Sequence, residues 1–335
     1  MKILLYPFSF IYGFITWLRN KFFDWGLMKQ TSFRIPIILV GNITVGGTGK
    51  TPFIEFLIRS MSNRYQIAVL SRGYKRNTQG VVVATEYATA AIIGDEPAQI
   101  LHKYPQVTVA VAEKRVEGIN TLLKIQNAPE MILLDDAFQH RHVKPGFSIL
   151  LVDFNRPMWK DTLMPAGRLR EYACGSKRAN LFVVTKCPDS ITNAQKMEFI
   201  EKICGANEEN TFFTKVGYSC PKSLDGVYQT DFFEKNQTFT VVTGIAKAEP
   251  FMNYLSERGT VSKHFEYADH YHFTQHDIDT FKATKSVIVT TEKDATRLQQ
   301  WSSELDIVYI PIETEFFENQ DKQFVFLLYK YLVNA

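Results

Sequence analysis

The sequence contains few cysteines and shows no pairing among them. Cys174, Cys187, Cys204 and Cys220 are the only four in 335 residues, and none stands in a Cys-x-x-Cys pair. This spacing excludes the usual disulfide frameworks and structural zinc sites, and it favours a chain kept reduced in the cytosol. A strong charge imbalance is also missing. The net charge of +3 indicates no polyanionic partner, so we expect no nucleic-acid binding.

The chain also lacks a hydrophobic run long enough to span a bilayer. Residues 3–18 carry no charge, but a span needs about 20 apolar residues, and Pro7 and Gly13 interrupt this run. No small-residue cleavage site follows, so a signal peptide is not expected. Tryptophan and tyrosine beside Arg19 and Lys21 are typical of a helix lying in the membrane interface. We therefore predict a monotopic membrane-interface segment at residues 1–28, with a short signal anchor and a helix packed on the protein's own core as alternatives.

Neither an internal repeat nor a low-complexity segment is evident, and the remaining chain alternates short apolar runs with helical patterns. This alternation predicts an α/β fold, and the length allows two domains. The pattern loosens between residues 190 and 235. We therefore predict a P-loop NTPase-like α/β/α domain at residues 29–215 and a smaller α/β/α domain at residues 216–335. We expect a monomer.

A glycine-rich loop at residues 41–52 is the strongest local signal. It reads Gly-Asn-Ile-Thr-Val-Gly-Gly-Thr-Gly-Lys-Thr-Pro, between an apolar run at 35–40 and a helical pattern at 53–58. A phosphate-binding P-loop has this context: a strand, a glycine-rich loop, Lys-Thr and then a helix. Its backbone N–H groups surround phosphate oxygens. The strict pattern begins with glycine where this chain has a threonine, so the loop is a variant. The predicted nucleotide contacts are Thr44, Val45, Gly46, Gly47, Thr48, Gly49, Lys50 and Thr51.

A second apolar run, residues 131–134, ends in Asp135 and Asp136. A buried strand that delivers a carboxylate toward Mg²⁺ beside a P-loop has this form. We predict Thr51, Asp135 and Asp136 as the metal site. Neighbouring strand residues point to opposite faces, so only one aspartate should bind the metal directly if the strand continues.

Three further segments allow both a purely structural and a functional interpretation. The basic, aromatic loop at 71–76 follows a strand and is either a ligand loop or a solvated turn. Asp95 in Gly-Asp-Glu-Pro is either a helix cap or a catalytic carboxylate. Arg170, in the long loop after residue 155, supplies transition-state charge or forms surface salt bridges.

The His-Arg-His cluster at 140–142 is a poor metal site and suits the rim of a pocket.

Taken together, these motifs resemble the tetraacyldisaccharide 4'-kinase family. The resemblance runs through most of the chain, from the apolar N-terminus onward. It rests on the glycine-rich loop at 41–51, Ser-Arg-Gly-Tyr at 71–74, Gly-Asp-Glu-Pro at 94–97, Asp-Asp-Ala-Phe-Gln-His at 135–140, Leu-Arg-Glu at 169–171, Thr-Gly-Ile-Ala at 243–246, Asp-His at 269–270 and Thr-Glu-Lys-Asp at 291–294.

The resemblance implies ATP-dependent phosphorylation of the 4'-hydroxyl of tetraacyldisaccharide 1-phosphate at the cytoplasmic face of the inner membrane. It also implies two α/β/α domains that close on the nucleotide, and a catalytic pair formed by Asp95 and His270. ATP and Mg²⁺ are the expected cofactors. A carboxylate can accept the proton of an attacking sugar hydroxyl, and Lys50 and Arg170 can neutralise charge on the transferred phosphoryl group.

Weaker candidates for the disaccharide and its 1-phosphate are Arg72, Tyr74, Arg115 and His142, because arginine binds phosphate with two parallel hydrogen bonds. The main alternative function is a P-loop nucleotide switch or metallochaperone of the GTPase type. That alternative explains Lys50 and Thr51 but not the apolar N-terminus. A soluble ATP-dependent ligase or small-molecule kinase is the third hypothesis.

Overall fold

The computed structural model describes residues 2–235, 238–269 and 271–333. The chain forms two compact units, one comprising Met1–Val216 with Thr314–Ala335 and the other comprising Gly217–Glu313. Both are built from strands and helices, so the α/β class predicted from the sequence is confirmed.

The larger unit begins with α1 (Tyr6–Asp24) and then alternates strands with helices. Its elements are β1 (Ile37–Gly41), α2 (Lys50–Met61), β2 (Ile67–Ser71), β3 (Val82–Val83), α3 (Ala90–Ile93), α4 (Asp95–Lys103), β4 (Thr108–Val111), α5 (Arg115–Leu122), β5 (Met131–Asp135), β6 (Phe147–Asp153), β7 (Leu181–Thr185), α6 (Asn193–Lys202) and β8 (Thr211–Tyr218).

The smaller unit continues this alternation. Its elements are β9 (Lys222–Ser223), α7 (Phe232–Lys235), β10 (Thr238–Thr243), α8 (Glu249–Ser256), β11 (Thr260–Glu266), α9 (Gln275–Lys282), β12 (Ile288–Thr291), α10 (Glu292–Leu298) and β13 (Ile307–Ile310). The chain then passes through β14 (Ile312–Phe316) and ends in α11 (Asp321–Val333).

A nine-stranded sheet in the order β14-β8-β7-β6-β1-β5-β2-β4-β3 forms the centre of the larger unit. β1 pairs in parallel with both β5 and β6, and all five of its residues are buried. This explains its unbroken apolar sequence, since a strand covered on both faces has no solvent side. The parallel strands bring their carboxyl ends to one edge, where ligands collect in open α/β sheets.

The C-terminal helix belongs to a different unit from the one predicted. α11 buries Phe324, Leu328 and Leu332 in the core of the larger unit. The Phe324 ring packs edge-on against Phe53 of α2, with centroids 5.6 Å apart. From the sequence, residues 314–335 are predicted in the smaller domain, because they follow it in the chain. Packing of the apolar face of α11 places them with the first unit instead.

A five-stranded sheet in the order β11-β10-β12-β13-β9 forms the smaller unit. Its helix α9 begins with a capping box formed by Thr274 and Asp277. The residues of β11 are mostly exposed or half-buried and form no apolar run.

α1 presents two unlike faces. Ser9, Gly13 and Phe23 are buried, whereas Phe10, Ile11, Phe14, Ile15 and Trp17 are exposed. Over the residues that the structure describes, no helix has the length and hydropathy required to cross a membrane.

Candidate functional site

The glycine-rich loop connects β1 to α2 and adopts backbone conformations that favour glycine. Gly46 and Gly49 have φ values of 116° and 80°, and Gly49 immediately precedes the helix. A Cβ atom added to Gly47 would meet no described atom within 4 Å, so the space beside the loop is open. Because Gly49 has no side chain to cap α2, the first N–H groups of the helix are available to an anion.

Neighbouring segments hold this loop in place. Asn42 Nδ2 donates to Thr48 Oγ1 at 2.8 Å, and Thr185 Oγ1 donates to the Thr48 carbonyl at 2.9 Å. Lys186 Nζ donates to the Gly47 carbonyl and pairs with Asp153 at 2.9 Å. The loop is therefore anchored from β6 and β7 on one side, which preorganises it for a phosphate group.

Lys50, Asp136 and Arg170 form an ion cluster at the start of α2. Asp136 Oδ1 lies 3.6 Å from Lys50 Nζ and 2.8 Å from Arg170 Nη1. Burial raises the pKa of Asp136, but the two cations outweigh it and hold that pKa below its usual value. Three residues predicted separately from the sequence are thus brought together.

The two consecutive aspartates do not lie on a continuing strand. β5 ends at Asp135, and Asp136 has a φ of 47°, so the alternation expected for strand residues does not apply. Asp135 is buried, and its Oδ2 accepts a hydrogen bond from Ser71 Oγ at 3.3 Å. Burial and then the charge of Glu96 raise the pKa of Asp135 to about 7. Glu96 stands next to Asp95 in the Gly-Asp-Glu-Pro motif.

Asp135 has the features expected of a metal ligand. Among the described residues, no donor reaches its buried Oδ1 atom. Thr51 is buried in the first turn of α2. No group of three or more His, Cys, Asp or Glu side chains within the described residues is arranged to hold a metal alone. A Mg²⁺ site usually takes one or two carboxylates and completes its ligands from substrate phosphates and water.

The loop at 71–76 lies against the start of α4. A Cβ atom added to Gly94 would lie 3.0 Å from the Tyr74 carbonyl, so the two segments are in close contact. Asp95 is the half-buried first residue of α4. Arg72 and Tyr74 are exposed, and the charge of Arg72 acts on His140. The predicted ligand loop and the predicted carboxylate therefore lie side by side.

Two of the predicted substrate residues have other surroundings. Arg115 is only 2% exposed, and its guanidinium donates to the carbonyls of Ala112 and Asp135. Burial lowers its pKa to about 10. His142 lies beside the C-terminal end of α1. Its ring makes an edge-to-face contact with Phe23, and its Nδ1 atom lies 3.3 Å from the Lys29 carbonyl oxygen. Arg115 therefore supports the end of β5, and His142 packs beside α1 instead of lining the phosphate loop.

Three further residues lie at the site: His140, which the sequence predicts only as part of a pocket rim, and Gln139 and Glu171, for which the sequence predicts no role. Burial, followed by the charges of Arg115 and Arg72, lowers the pKa of His140 to about 4, so its ring is neutral at pH 7. Gln139 donates to the Asn42 carbonyl at 2.9 Å and to Glu171 at 3.0 Å. The only sequence signal for Gln139 and Glu171 is their presence in the motifs that carry the family resemblance. His270 lies outside the described residues.

Comparisons with known proteins find similar proteins over almost the whole chain. A family model described as tetraacyldisaccharide-1-P 4'-kinase matches residues 1–332. The tetraacyldisaccharide 4'-kinase of Flavobacterium psychrophilum is 44% identical over 331 residues, which cover 96% of this chain and 94% of that protein. The enzyme of the same name from Bacteroides thetaiotaomicron is 42% identical over 346 residues, covering 96% and 90%.

A solved structure is similar over almost the whole length. The crystal structure described as the "apo" form of LpxK from Aquifex aeolicus in complex with ATP matches with a TM-score of 0.81 and 29% sequence identity. The match covers 99% of both chains. The resemblance inferred from the motifs therefore extends to the complete fold.

Proposed function

This chain belongs to the tetraacyldisaccharide-1-P 4'-kinase family, and we propose that it transfers the γ-phosphoryl group of ATP to the 4'-hydroxyl of tetraacyldisaccharide 1-phosphate in lipid A biosynthesis. The observation that carries this proposal is the cluster of Lys50, Asp136 and Arg170 beside an open glycine-rich loop. The ATP complex of the Aquifex aeolicus relative supports ATP as the donor.

The triphosphate would occupy the loop from Thr44 to Thr51. Backbone N–H groups at the start of α2, together with Lys50, stabilise negative charge there, and Arg170 adds a second cation. Phosphoryl transfer has a loose transition state with charge spread over the phosphoryl oxygens. Positioning and charge neutralisation therefore provide most of the rate enhancement.

Thr51 and Asp135 would hold Mg²⁺, with Asp136 nearby as the partner of Lys50. The unsatisfied Oδ1 atom of Asp135 fits this role, because a divalent cation would compensate its desolvated charge. When bound, Mg²⁺ neutralises charge on the phosphate oxygens. Arg115 contributes indirectly, since it holds the backbone carbonyl of Asp135.

Asp95 would act as the general base. As the bond from the 4'-oxygen to the γ-phosphorus forms, the hydroxyl proton passes to the Asp95 carboxylate. The bond from the γ-phosphorus to its bridging oxygen breaks, and ADP leaves with the electron pair. His270, the expected partner of Asp95, remains a prediction.

The acceptor would approach from the loop at 71–76 and from the exposed face of α1. Arg72 and Tyr74 lie exposed next to the start of α4, where they can contact the sugar and its anionic group. The exposed aromatic side chains of α1 suit peripheral attachment at the cytoplasmic face of the inner membrane, so the acyl chains can remain in the bilayer.

The test is transfer of label from γ-³²P-ATP to tetraacyldisaccharide 1-phosphate in detergent micelles with Mg²⁺. We expect labelled glycolipid with wild-type protein, and at least about 10²-fold slower turnover with Asp95→Ala while ATP still binds. Asp321→Ala is the matched control, because Asp321 also begins a helix and lies in α11, outside the candidate site. GTP-preferring hydrolysis without labelled lipid would support the nucleotide-switch alternative and refute the proposal.

A further inference from the structure

α1 is hydrogen-bonded to the loop that carries Arg170. Ser9 Oγ donates to the Leu163 carbonyl and accepts from the Ala166 amide, both at 2.9 Å. Tyr12 Oη donates to the carbonyl of Arg170 itself at 2.8 Å. The polar side chains on the inner face of α1 therefore bind the loop at 163–170.

The same loop is bonded on its other side to the glycine-rich loop. The Val45 amide donates to the Arg168 carbonyl at 2.8 Å, and the Arg170 amide donates to the Ile43 carbonyl at 2.8 Å. The loop at 163–170 therefore lies between α1, which carries the exposed aromatic face, and the candidate phosphate site.

A chain of side-chain hydrogen bonds crosses this layer. Asn20 Nδ2 of α1 donates to Glu171 Oε2 at 2.9 Å, and Glu171 Oε1 accepts from Gln139 Nε2 at 3.0 Å. Gln139 Oε1 accepts from Arg170 Nη1 at 3.3 Å, and Arg170 Nη1 also donates to Asp136 at 2.8 Å. The chain ends at Lys50, the other cation on Asp136.

Glu171 is the central member, because it is only 3% exposed and depends on its partners for solvation. Arg178 also pairs with it, at 2.8 Å. If the side-chain amide of Asn20 is removed, the Glu171 carboxylate keeps its ion pair with Arg178 but loses its hydrogen-bond donor from α1. A shift of this carboxylate would disturb the orientation of the Gln139 amide, because Gln139 Nε2 donates to Glu171 Oε1. That orientation, with Nε2 toward Glu171 and the Asn42 carbonyl, is what leaves Oε1 facing Arg170.

We propose that Asn20 is a positioning residue for phosphoryl transfer, which orients Arg170 through Glu171 and Gln139 and so links the exposed apolar helix to the phosphate loop. This inference rests on the proposed function, since Arg170 must act on the transferred group. Small displacements of a positioned charge change turnover strongly, whereas nucleotide binding depends mainly on the loop itself.

A double-mutant cycle tests the inference, using Asn20→Ala, Arg170→Ala and the double variant. We expect Asn20→Ala to lower kcat for lipid phosphorylation about 10-fold, with ATP affinity and binding to phosphatidylglycerol vesicles unchanged. In the Arg170→Ala background the same change should lower kcat less than about 2-fold, because its effect passes through Arg170.

Asn180→Ala is the matched control. Asn180 also joins two elements through its side chain, by accepting from the Ser148 amide at 2.8 Å at the start of β6, far along the strand from the phosphate loop. It should change the thermal unfolding midpoint without changing kcat. Wild-type kcat in Asn20→Ala, or equal effects of Asn20→Ala in both backgrounds, would overturn the inference while leaving the proposed function intact. Failure of the wild-type protein to label lipid would refute the proposed function itself.

Discussion

Asp135 and Asp136 are neighbours in the chain, yet their carboxyl groups have opposite pKa shifts. Burial and the charge of Glu96 raise the pKa of Asp135, whereas Lys50 and Arg170 outweigh burial at Asp136 and lower its pKa. The left-handed backbone at Asp136 produces this difference by turning its side chain toward the two cations. Asp135 is therefore suited to meet a metal ion, and Asp136 to hold Lys50 and Arg170.

The raised pKa of Asp135 predicts that Asp135→Asn stabilises the nucleotide-free protein above pH 7. A group with a raised folded pKa stabilises the fold at low pH, and this contribution is lost as pH rises toward that pKa. Asparagine cannot ionise, so we expect greater stability at pH 8, by up to about 4 kcal/mol, declining toward zero near pH 4, together with loss of lipid phosphorylation. Urea unfolding at both pH values measures the effect.

Asp136→Asn is the control with the opposite sign. Its folded pKa is lowered, so its contribution is present at neutral pH and is lost as pH falls through the folded pKa. We expect this variant to be less stable than wild type at pH 8. A loss of stability at pH 8 in Asp135→Asn as well would show that Asp135 is already compensated by a positive charge.

At the scale of elements, α1 combines two of the interpretations that the sequence left open. Its inner face is bonded to the 163–170 loop, as a helix packed on its own protein would be. Its outer face exposes large apolar side chains, as an interfacial helix would. The two faces are compatible because the buried positions, Ser9, Gly13 and Phe23, occupy only one side of the helix.

Removing two outer aromatic residues should weaken membrane binding without unfolding the protein. Phe10 and Phe14 are 72% and 52% exposed, so the double variant Phe10→Ser/Phe14→Ser removes no core contact. We expect at least about 10-fold weaker partitioning to phosphatidylethanolamine and phosphatidylglycerol vesicles, because each phenylalanine contributes about 1.5–3 kcal/mol when buried. Vesicle sedimentation measures the change.

Phe326→Ser is the matched control, since Phe326 is 67% exposed on α11. It should sediment with vesicles as the wild type does. Equal sedimentation of the Phe10/Phe14 variant and the wild type would argue against attachment through the outer face of α1.

At the scale of the whole molecule, chain order and packing order differ. The chain leaves the larger unit after Val216, forms the smaller unit to Glu313, and returns with β14 and α11. The fully buried Phe324 and Leu328 make α11 part of the core that also supports α2, the helix after the glycine-rich loop. The C-terminus therefore contributes to the stability of the candidate site.

Leu328→Ala should destabilise the larger unit selectively. Loss of a fully buried leucine leaves a cavity and costs about 3 kcal/mol. In hydrogen exchange measured by mass spectrometry, we expect faster exchange in peptides from residues 1–216 and unchanged exchange in residues 217–313. Leu255→Ala, at a fully buried leucine of the smaller unit, should give the reverse pattern. Faster exchange in residues 217–313 with Leu328→Ala would contradict the assignment of α11.

The sequence alone determined the features that depend on neighbouring residues. The strand, glycine-rich loop and helix at 37–61 follow from local backbone preferences, and the apolar run ending at Asp135 follows from burial on both faces. Ordered motifs along the chain also sufficed to indicate the family, which the comparisons confirm.

Only the tertiary structure decided the surroundings of individual side chains. It turned Asp136 away from the strand direction, enclosed Arg115, and joined Asn20 to Glu171 across 151 positions of the chain. It also packed α11 against α2. Local sequence cannot specify these features, because burial and charge at a side chain depend on which distant segments the fold brings next to it.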